Sequence, residues 1–188
     1  MREHCASRPQ EDGDQVFGRT PKLPRELAPT LEREERVITW ARTDEGAVVV
    51  TNRGLWLPGE RGRLPWHEIH KATWAESILT LTGSAADDAS DYAFAHDVEP
   101  IRVRLSEPGA VPRRVRERVL ASVAYSTLYP VPGGGSARVV ARRVSGRDGL
   151  NWSVRLEGAA ASRTEDPAVK AAVDQFVAAS KASIDAAP

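Results

Sequence analysis

The chain has 188 residues, of which 41% are hydrophobic, and its 26 Lys and Arg residues balance its 26 Asp and Glu residues. This length fits one domain of ordinary size, or one domain with a small appendage. No run of about 18 apolar residues occurs and the N-terminus lacks the apolar core of a signal peptide, so we expect a cytoplasmic protein. The single cysteine, Cys5, excludes an intrachain disulfide and a thiolate metal cluster, and no disulfide-linked partner is expected.

The N-terminal part of the sequence changes from a polar leader to a series of short strands. Residues 1–30 contain four prolines and have almost no periodicity, which predicts a flexible leader. From residue 31 onward, short alternating or β-branched runs are separated by turn residues such as those at 44–46 and 52–54. Strands are predicted at 36–43, 47–51, 55–57, 63–66, 69–75, 77–83, 92–96 and 101–105.

Beyond Gly109 the apolar residues change to helical spacing. They recur in this way from Val111 to Leu128 and Pro130 marks a stop, so an amphipathic helix is predicted there. The Gly-rich segment 130–136 is predicted as a linker. After it, the alternation predicts a hairpin, and Asp166-Pro167 predicts the start of a final helix. The fold class is therefore α+β: a small β-barrel or bent β-sandwich capped by an amphipathic helix, followed by a β-hairpin and a C-terminal helix.

Two segments carry a family resemblance. In AVVVTNRGLWLPGE (47–60) an apolar strand ends in Thr and leads through a polar turn to an aromatic strand, and RLPWHEIHKATW (63–74) follows. This pattern resembles the bacterial pleckstrin-homology-like (PH-like) and GRAM-like domains. The positions that match are Thr51, Asn52, Arg53, Leu55, Trp56, Leu64, Pro65, Trp66 and Ile69. The resemblance implies a PH-like domain over 31–129 that serves in membrane association or protein interaction, without a shared catalytic site. It does not cover the ββα extension at 137–188.

The neutral total conceals a division of charge along the chain. Residues 31–100 contain 7 basic and 13 acidic residues, whereas residues 101–157 contain 11 basic and 4 acidic residues. A set of arginines in the basic segment forms the candidate interaction surface: Arg102, Arg104, Arg113, Arg114, Arg116, Arg118, Arg142 and Arg143. We expect this surface to meet acidic residues of the same chain, of a second copy or of a protein partner.

Two other partners are alternatives for this arginine surface. An anionic membrane is the first, since basic residues are attracted to anionic headgroups. The acidic loop at Asp44-Glu45 argues against it, because PH domains that bind phosphoinositides generally carry basic residues in the matching loop. Nucleic acid is the weaker alternative, because the acidic segment would repel it.

Three further patterns are poor candidates for sites. His67 and His70 have the spacing of a metal-binding pair on a helix, but residues three apart in a strand point to opposite faces. The aspartates at 87, 88 and 91 lack the glycine and glutamate of a calcium loop. The glycines at 133–135 lack the Lys-Ser/Thr of a phosphate-binding loop. Since no catalytic motif is present either, the sequence predicts a non-enzymatic protein without a metal or cofactor.

Overall fold

Strands dominate the fold in the computed structural model, which describes residues 22–86 and 91–186. The strands are β1 (Val37–Thr43), β2 (Gly46–Thr51), β3 (Gly54–Trp56), β4 (Arg63–Pro65), β5 (Ile69–Ala75), β6 (Ile78–Ala86), β7 (Ala93–Asp97), β8 (Ile101–Arg104), β9 (Val123–Pro130), β10 (Ser136–Arg143) and β11 (Leu150–Glu157). The helices are α1 (Val111–Ser122) and α2 (Pro167–Asp185). The α+β prediction is confirmed. No helix in this part of the chain has the length and hydropathy to cross a bilayer.

The first sheet contains β1 to β4 in sequential, antiparallel order. Asp44 and Glu45 form the turn between β1 and β2, and Gly46 follows with a φ of 136°, which favours glycine. The next five residues, 47–51, are all buried. This explains why β2 is a continuous apolar run instead of an alternating one.

The second sheet is curled and contains seven strands. Its order is β5-β6-β7-β11-β10-β9, and β8 also pairs with β6. The long strand β6 joins two regions, because its first half pairs with β8 and its second half with β7. Strand β7 in turn pairs in parallel with β11, where Ala93 lies opposite Ser153. The C-terminal hairpin is therefore part of the same sheet as strands of the N-terminal half.

Each helix covers its own apolar core. The first core lies between the first sheet, strands β5, β6 and β8, and helix α1. The second lies between α2 and the β7-β11-β10-β9 part of the second sheet. Asp166 begins α2 by accepting a hydrogen bond from Ala168 N at 2.9 Å, as its position before Pro167 predicts. The buried apolar residues of the two helices are Val111, Val115 and Val119 in α1, and Val169, Val173 and Val177 in α2.

Helix α1 is shorter than the helix predicted up to Leu128. It ends at Ser122, and residues 123–130 form β9, which pairs with β10. In β9, Tyr125 and Tyr129 pack against the core under α2, whereas Ser126 and Leu128 are exposed. This alternation of aromatic and smaller residues fits a strand, and pairing with β10 outweighs the helical spacing of the apolar residues.

The Gly-rich segment 130–136, which the sequence predicts as a linker, closes the hairpin between β9 and β10. Val131 N donates a hydrogen bond to Gly135 O, and Gly134 N donates to Val131 O. Gly135 has a φ of 83°, and a Cβ atom at this position would lie 2.7 Å from Glu157 O. The segment is thus a tight turn against the end of β11.

Candidate functional site

The two faces of the β7-β11-β10-β9 part of the second sheet have different chemistry. One face is apolar and is covered by α2. The residues that alternate with the apolar ones belong to the other face, where a cleft of about 520 Å³ opens. Its described lining consists of His67, Glu68, His70, Ser84, Ala95, Val123, Ser126, Arg138, Val140, Arg142, Asn151, Ser153 and Arg155. We call this region the cationic cleft.

The register of the β10–β11 hairpin arranges one wall of the cleft in three rows. Arg138 lies opposite Arg155, the next row pairs Val140 with Ser153, and the third pairs Arg142 with Asn151. Residues on the same face of a strand are about 7 Å apart. Positively charged rows therefore lie at both ends of a neutral row, with the Cα atoms of Arg138 and Arg142 about 13 Å apart along the strand.

Arg142 is the most buried arginine of the cleft. The residue is 8% exposed, and its Nη1 donates hydrogen bonds to Ser122 Oγ at 2.7 Å and to Val119 O at 3.4 Å. Among the described residues, no carboxylate lies within 4.0 Å of its guanidinium. Both acceptors belong to the last turn of α1, where the helix dipole amounts to about half a negative charge. The end of the helix therefore compensates the positive charge only in part.

The other two arginines of the cleft each have a carboxylate partner. Arg138 Nε lies 2.7 Å from Glu157 Oε1, and Arg155 Nη2 lies 2.7 Å from Asp97 Oδ1. Two like charges directly opposite each other on neighbouring strands are destabilising. The two carboxylates reduce this repulsion, and both arginines remain part of the cleft lining.

Two histidines and Glu68 also line the cleft. Burial is the main cause that lowers the pKa of His67, and the nearby Arg142 and Arg147 lower it further. Burial and the charge of Arg155 likewise lower the pKa of His70. Both imidazoles are therefore neutral at pH 7. The expectation that they point to opposite faces is wrong, because a 3₁₀ turn at 66–68 precedes β5 and both residues line the cleft.

Four neutral polar side chains line the cleft between its charged groups: Ser84, Ser126, Asn151 and Ser153. None of the four forms a side-chain hydrogen bond with another described residue. Hydroxyl and carboxamide groups donate and accept hydrogen bonds. The cleft thus presents unused polar groups to a molecule that enters it.

The eight predicted surface arginines lie in several different surroundings. Arg142 alone among them lines the cationic cleft, whereas Arg118 and Arg143 line a separate groove of about 510 Å³ at the end of α1. Arg143 Nη1 also donates to the carbonyl oxygens of Ala121 and Val123. The other five lie elsewhere: Arg102 and Arg104 line a small pocket beside Asp44 and Glu45, Arg113 and Arg114 form ion pairs with Glu117, and Arg116 is exposed.

The predicted pairing between the acidic and basic segments is sparse within the chain. Among the described residues, one ion pair joins the segment 31–100 to the segment 101–157, and it is Arg155 with Asp97. Glu32 and Glu35 instead pair with Arg53 and Arg63 of their own segment. Most of the arginines therefore do not use the acidic segment as their partner.

The residues of the family resemblance organise a buried carboxylate. The Glu35 side chain is fully buried, and Oε1 accepts hydrogen bonds from Thr51 Oγ1 at 2.7 Å and from Trp56 Nε1 at 3.0 Å. Oε2 accepts from Arg63 Nη1 at 2.8 Å and from Glu32 N at 3.1 Å. The Thr-Asn-Arg-Gly turn thus fixes the chain that enters β1, which is a structural role.

Several residues of the cleft were missed by sequence reasoning. The sequence does contain a signal for three of them, which is the alternation of polar residues with those of an apolar strand face: Arg138, Ser153 and Arg155. The sequence does not show, however, that this polar face bounds a cleft. Of the weaker candidates, Asp91 lies 3.6 Å from Lys181, while Cys5 and the aspartates at 87 and 88 lie outside the described residues. No group of three or more metal-ligating side chains occurs in the described ranges.

Comparison with known proteins adds no relative. No family model, curated protein or solved structure matches the chain. The fold and the cationic cleft are therefore the basis for assigning a function.

Proposed function

We propose that this protein is a non-enzymatic, cytoplasmic, PH-like binding module whose cationic cleft holds an anionic group of a ligand. The observation that carries the proposal is Arg142, a buried arginine of the cleft lining whose guanidinium has no carboxylate within 4.0 Å among the described residues. The succession of strands closed by α1 supports the PH-like assignment. Because the sequence offers no catalytic motif, we assign binding to the cleft and not a reaction.

The energetics favour an anion beside Arg142. Removing a charged group from water costs several kcal/mol, and the end of α1 offsets only part of this cost. Two opposite unit charges 4 Å apart attract each other by about 4 kcal/mol at an effective dielectric constant near 20. Arg138 and Arg155 lie in the same wall and offer further guanidinium donors, although each also pairs with a carboxylate.

Thermal unfolding in sodium phosphate, compared with sodium chloride of equal ionic strength, tests the proposal. At a phosphate concentration ten times its Kd, the expected stabilisation is about 1.4 kcal/mol, which raises Tm by about 3–5 °C for a chain of this size. Arg142→Met removes the charge and keeps an apolar stem, and it should abolish the rise. The matched control is Arg116→Met, because Arg116 is exposed on α1 and outside the cleft.

The outcomes separate binding from a purely structural role of Arg142. If phosphate gives no rise beyond chloride and Arg142→Met merely lowers Tm, Arg142 serves only to cap α1. If both variants lose the phosphate response equally, the effect is general screening and the proposal is wrong. Binding is supported when Arg142→Met alone loses the response.

Peripheral binding to an anionic membrane is a second candidate, and one observation favours it. Leu120 is 62% exposed on α1, on the same side as Arg116 and the Arg113–Glu117 ion pair. An exposed apolar residue flanked by basic ones fits the interface of an anionic bilayer. Flotation with phosphatidylserine vesicles tests this: capture that is lost in Arg116→Glu but kept in Arg142→Met places the membrane contact on α1.

A further inference from the structure

The dimensions of the cationic cleft indicate a ligand larger than a simple anion. Its volume of about 520 Å³ lies within the range of about 300–1,000 Å³ that small-molecule sites occupy. Inorganic phosphate beside Arg142 would fill a small part of this space. Because Arg142 is 8% exposed, a flat membrane or a nucleic-acid duplex cannot approach it as closely as a small molecule can.

The side chains of the neutral middle row, Val140 and Ser153, indicate the chemistry of the uncharged part of that ligand, which we call its body. Ser153 lies opposite Val140 on β11, and Val140 in turn lies opposite Ser126 on β9, so the two hydroxyl-bearing residues flank one small apolar side chain. Ser84, Asn151 and the carboxylate of Glu68 add further groups that accept hydrogen bonds. Apart from the two imidazoles, no aromatic side chain occurs in the described lining.

From this arrangement we infer that the ligand is a sugar or polyol that carries a terminal phosphate or carboxylate. The inference rests on the proposed function. The anionic group lies at the Arg142 row, and the hydroxyl-rich body extends along the Ser153 row toward Arg138 and Arg155. Each hydroxyl group of such a body donates and accepts a hydrogen bond, which matches the serine and asparagine side chains that form no side-chain hydrogen bond with another described residue.

A planar aromatic or an aliphatic body fits this lining poorly. Ligand sites for such bodies are lined mainly by hydrophobic and aromatic side chains. Here Ala95, Val123 and Val140 are the apolar contributors, and all three are small. The lining therefore discriminates among anionic ligands by their uncharged part.

Calorimetric titration with a matched set of ligands tests the inference. Glucose 6-phosphate is compared with inorganic phosphate and phenyl phosphate, and glucuronate is compared with acetate and benzoate. Three or four additional hydrogen bonds should make the sugar derivative bind about tenfold or more tightly than the simple anion. The aromatic derivative should gain no more than about twofold over the same anion.

Two serine variants test whether the hydroxyl groups of the middle row cause the tighter binding of the sugar derivative. Ser153→Val and, separately, Ser126→Val remove a hydroxyl group and introduce a residue that favours strands, and each should reduce the tenfold ratio to about threefold. Ser106→Val is the control, because Ser106 is exposed and outside the cleft. Circular dichroism verifies that each variant is folded, and the second serine variant replaces the first if that one is not.

The results separate this inference from the proposed function. A ratio near one for both sugar derivatives, with phosphate binding that still depends on Arg142, overturns the inference and leaves the proposed function in place. Tighter binding of the aromatic derivative also overturns it. If no anion binds at all, the proposed function fails and the inference fails with it.

Discussion

Replacing Glu35 by glutamine should destabilise the protein strongly, although the change is nearly isosteric. Both carboxylate oxygens of Glu35 accept hydrogen bonds, and each has two donors. A glutamine side chain has one acceptor oxygen and one NH₂ group. In either orientation, two of the four donors around the side chain therefore face the NH₂ group, which cannot accept their hydrogen bonds. The less costly orientation places NH₂ beside Thr51 and Trp56, because the Thr51 hydroxyl can rotate and donate to Gly54 O, which lies 3.0 Å away.

The magnitude follows from this orientation. The Trp56 N–H group is left without its acceptor, which costs about 1–3 kcal/mol for a buried donor. The bond from Arg63 becomes one to a neutral oxygen and loses about 1 kcal/mol. We therefore expect Glu35→Gln to lower the free energy of unfolding by about 2–4 kcal/mol.

Urea unfolding followed by tryptophan fluorescence measures this difference. Glu34→Gln is the matched control, because Glu34 is adjacent and exposed and its substitution should change stability by less than about 0.5 kcal/mol. Burial raises the pKa of Glu35, but hydrogen bonds from Thr51 and the Glu32 amide, with the charge of Arg63, outweigh burial and lower it overall. The unsubstituted chain should therefore exceed Glu35→Gln in free energy of unfolding by the full amount above pH 4.5. This difference should disappear as the pH falls through the lowered pKa of Glu35. Equal stability of Glu35→Gln and Glu34→Gln would refute the reasoning.

Two further predictions concern the cleft and the glycine turn between β9 and β10. Sulfate, which stays a dianion, should stabilise the protein more at pH 5.5 than at pH 7.5, because burial lowers the pKa of His67 and His70 and a bound anion favours their protonation. Without the anion, the free energy of unfolding should decrease as the pH is lowered below 6.5, because the imidazoles bind protons at a higher pH in the unfolded chain than in the folded one. A sulfate effect on Tm that is independent of pH, or a pH dependence of that effect that persists in a His67→Gln, His70→Gln variant, contradicts this. Gly135→Ala should cost about 2 kcal/mol or more, because its Cβ would collide with the backbone of β11. Gly149→Ala, with a φ of 92° but no atom within 4 Å, should cost only about 1 kcal/mol, and equal losses in urea unfolding would show that the collision is relieved.

Elements that depend on local signals were predictable from the sequence. The strands on either side of Asp44-Glu45 follow from their alternation and from the turn residues between them. Helix α2 begins at Pro167 after the Asp166 cap, as expected. Strand β9 was not predictable in this way, because Val119, Val123 and Leu128 also fit a helical period and only pairing with β10 decides between the two.

The candidate site depended on long-range placement, which a local pattern does not contain. The alternation of β10 and β11 shows that Arg138 and Arg155 each lie on a polar face, but their direct opposition is set by the hairpin register. His67 reaches the cleft because of a 3₁₀ turn that the strand pattern does not indicate. The arginines of α1 do not line the cleft, since clustering along the sequence does not place side chains at one site.

The parallel pairing of β7 with β11 also sets the order in which the cleft is assembled. Ala93 and Ser153 meet across sixty residues, and such a distant pairing carries a high loop-closure cost that slows its formation. During synthesis, the first sheet and α1 have all of their residues well before β11 leaves the ribosome. The cleft should therefore be among the last parts of the molecule to form, so a folding intermediate with an intact first core would not yet bind the ligand.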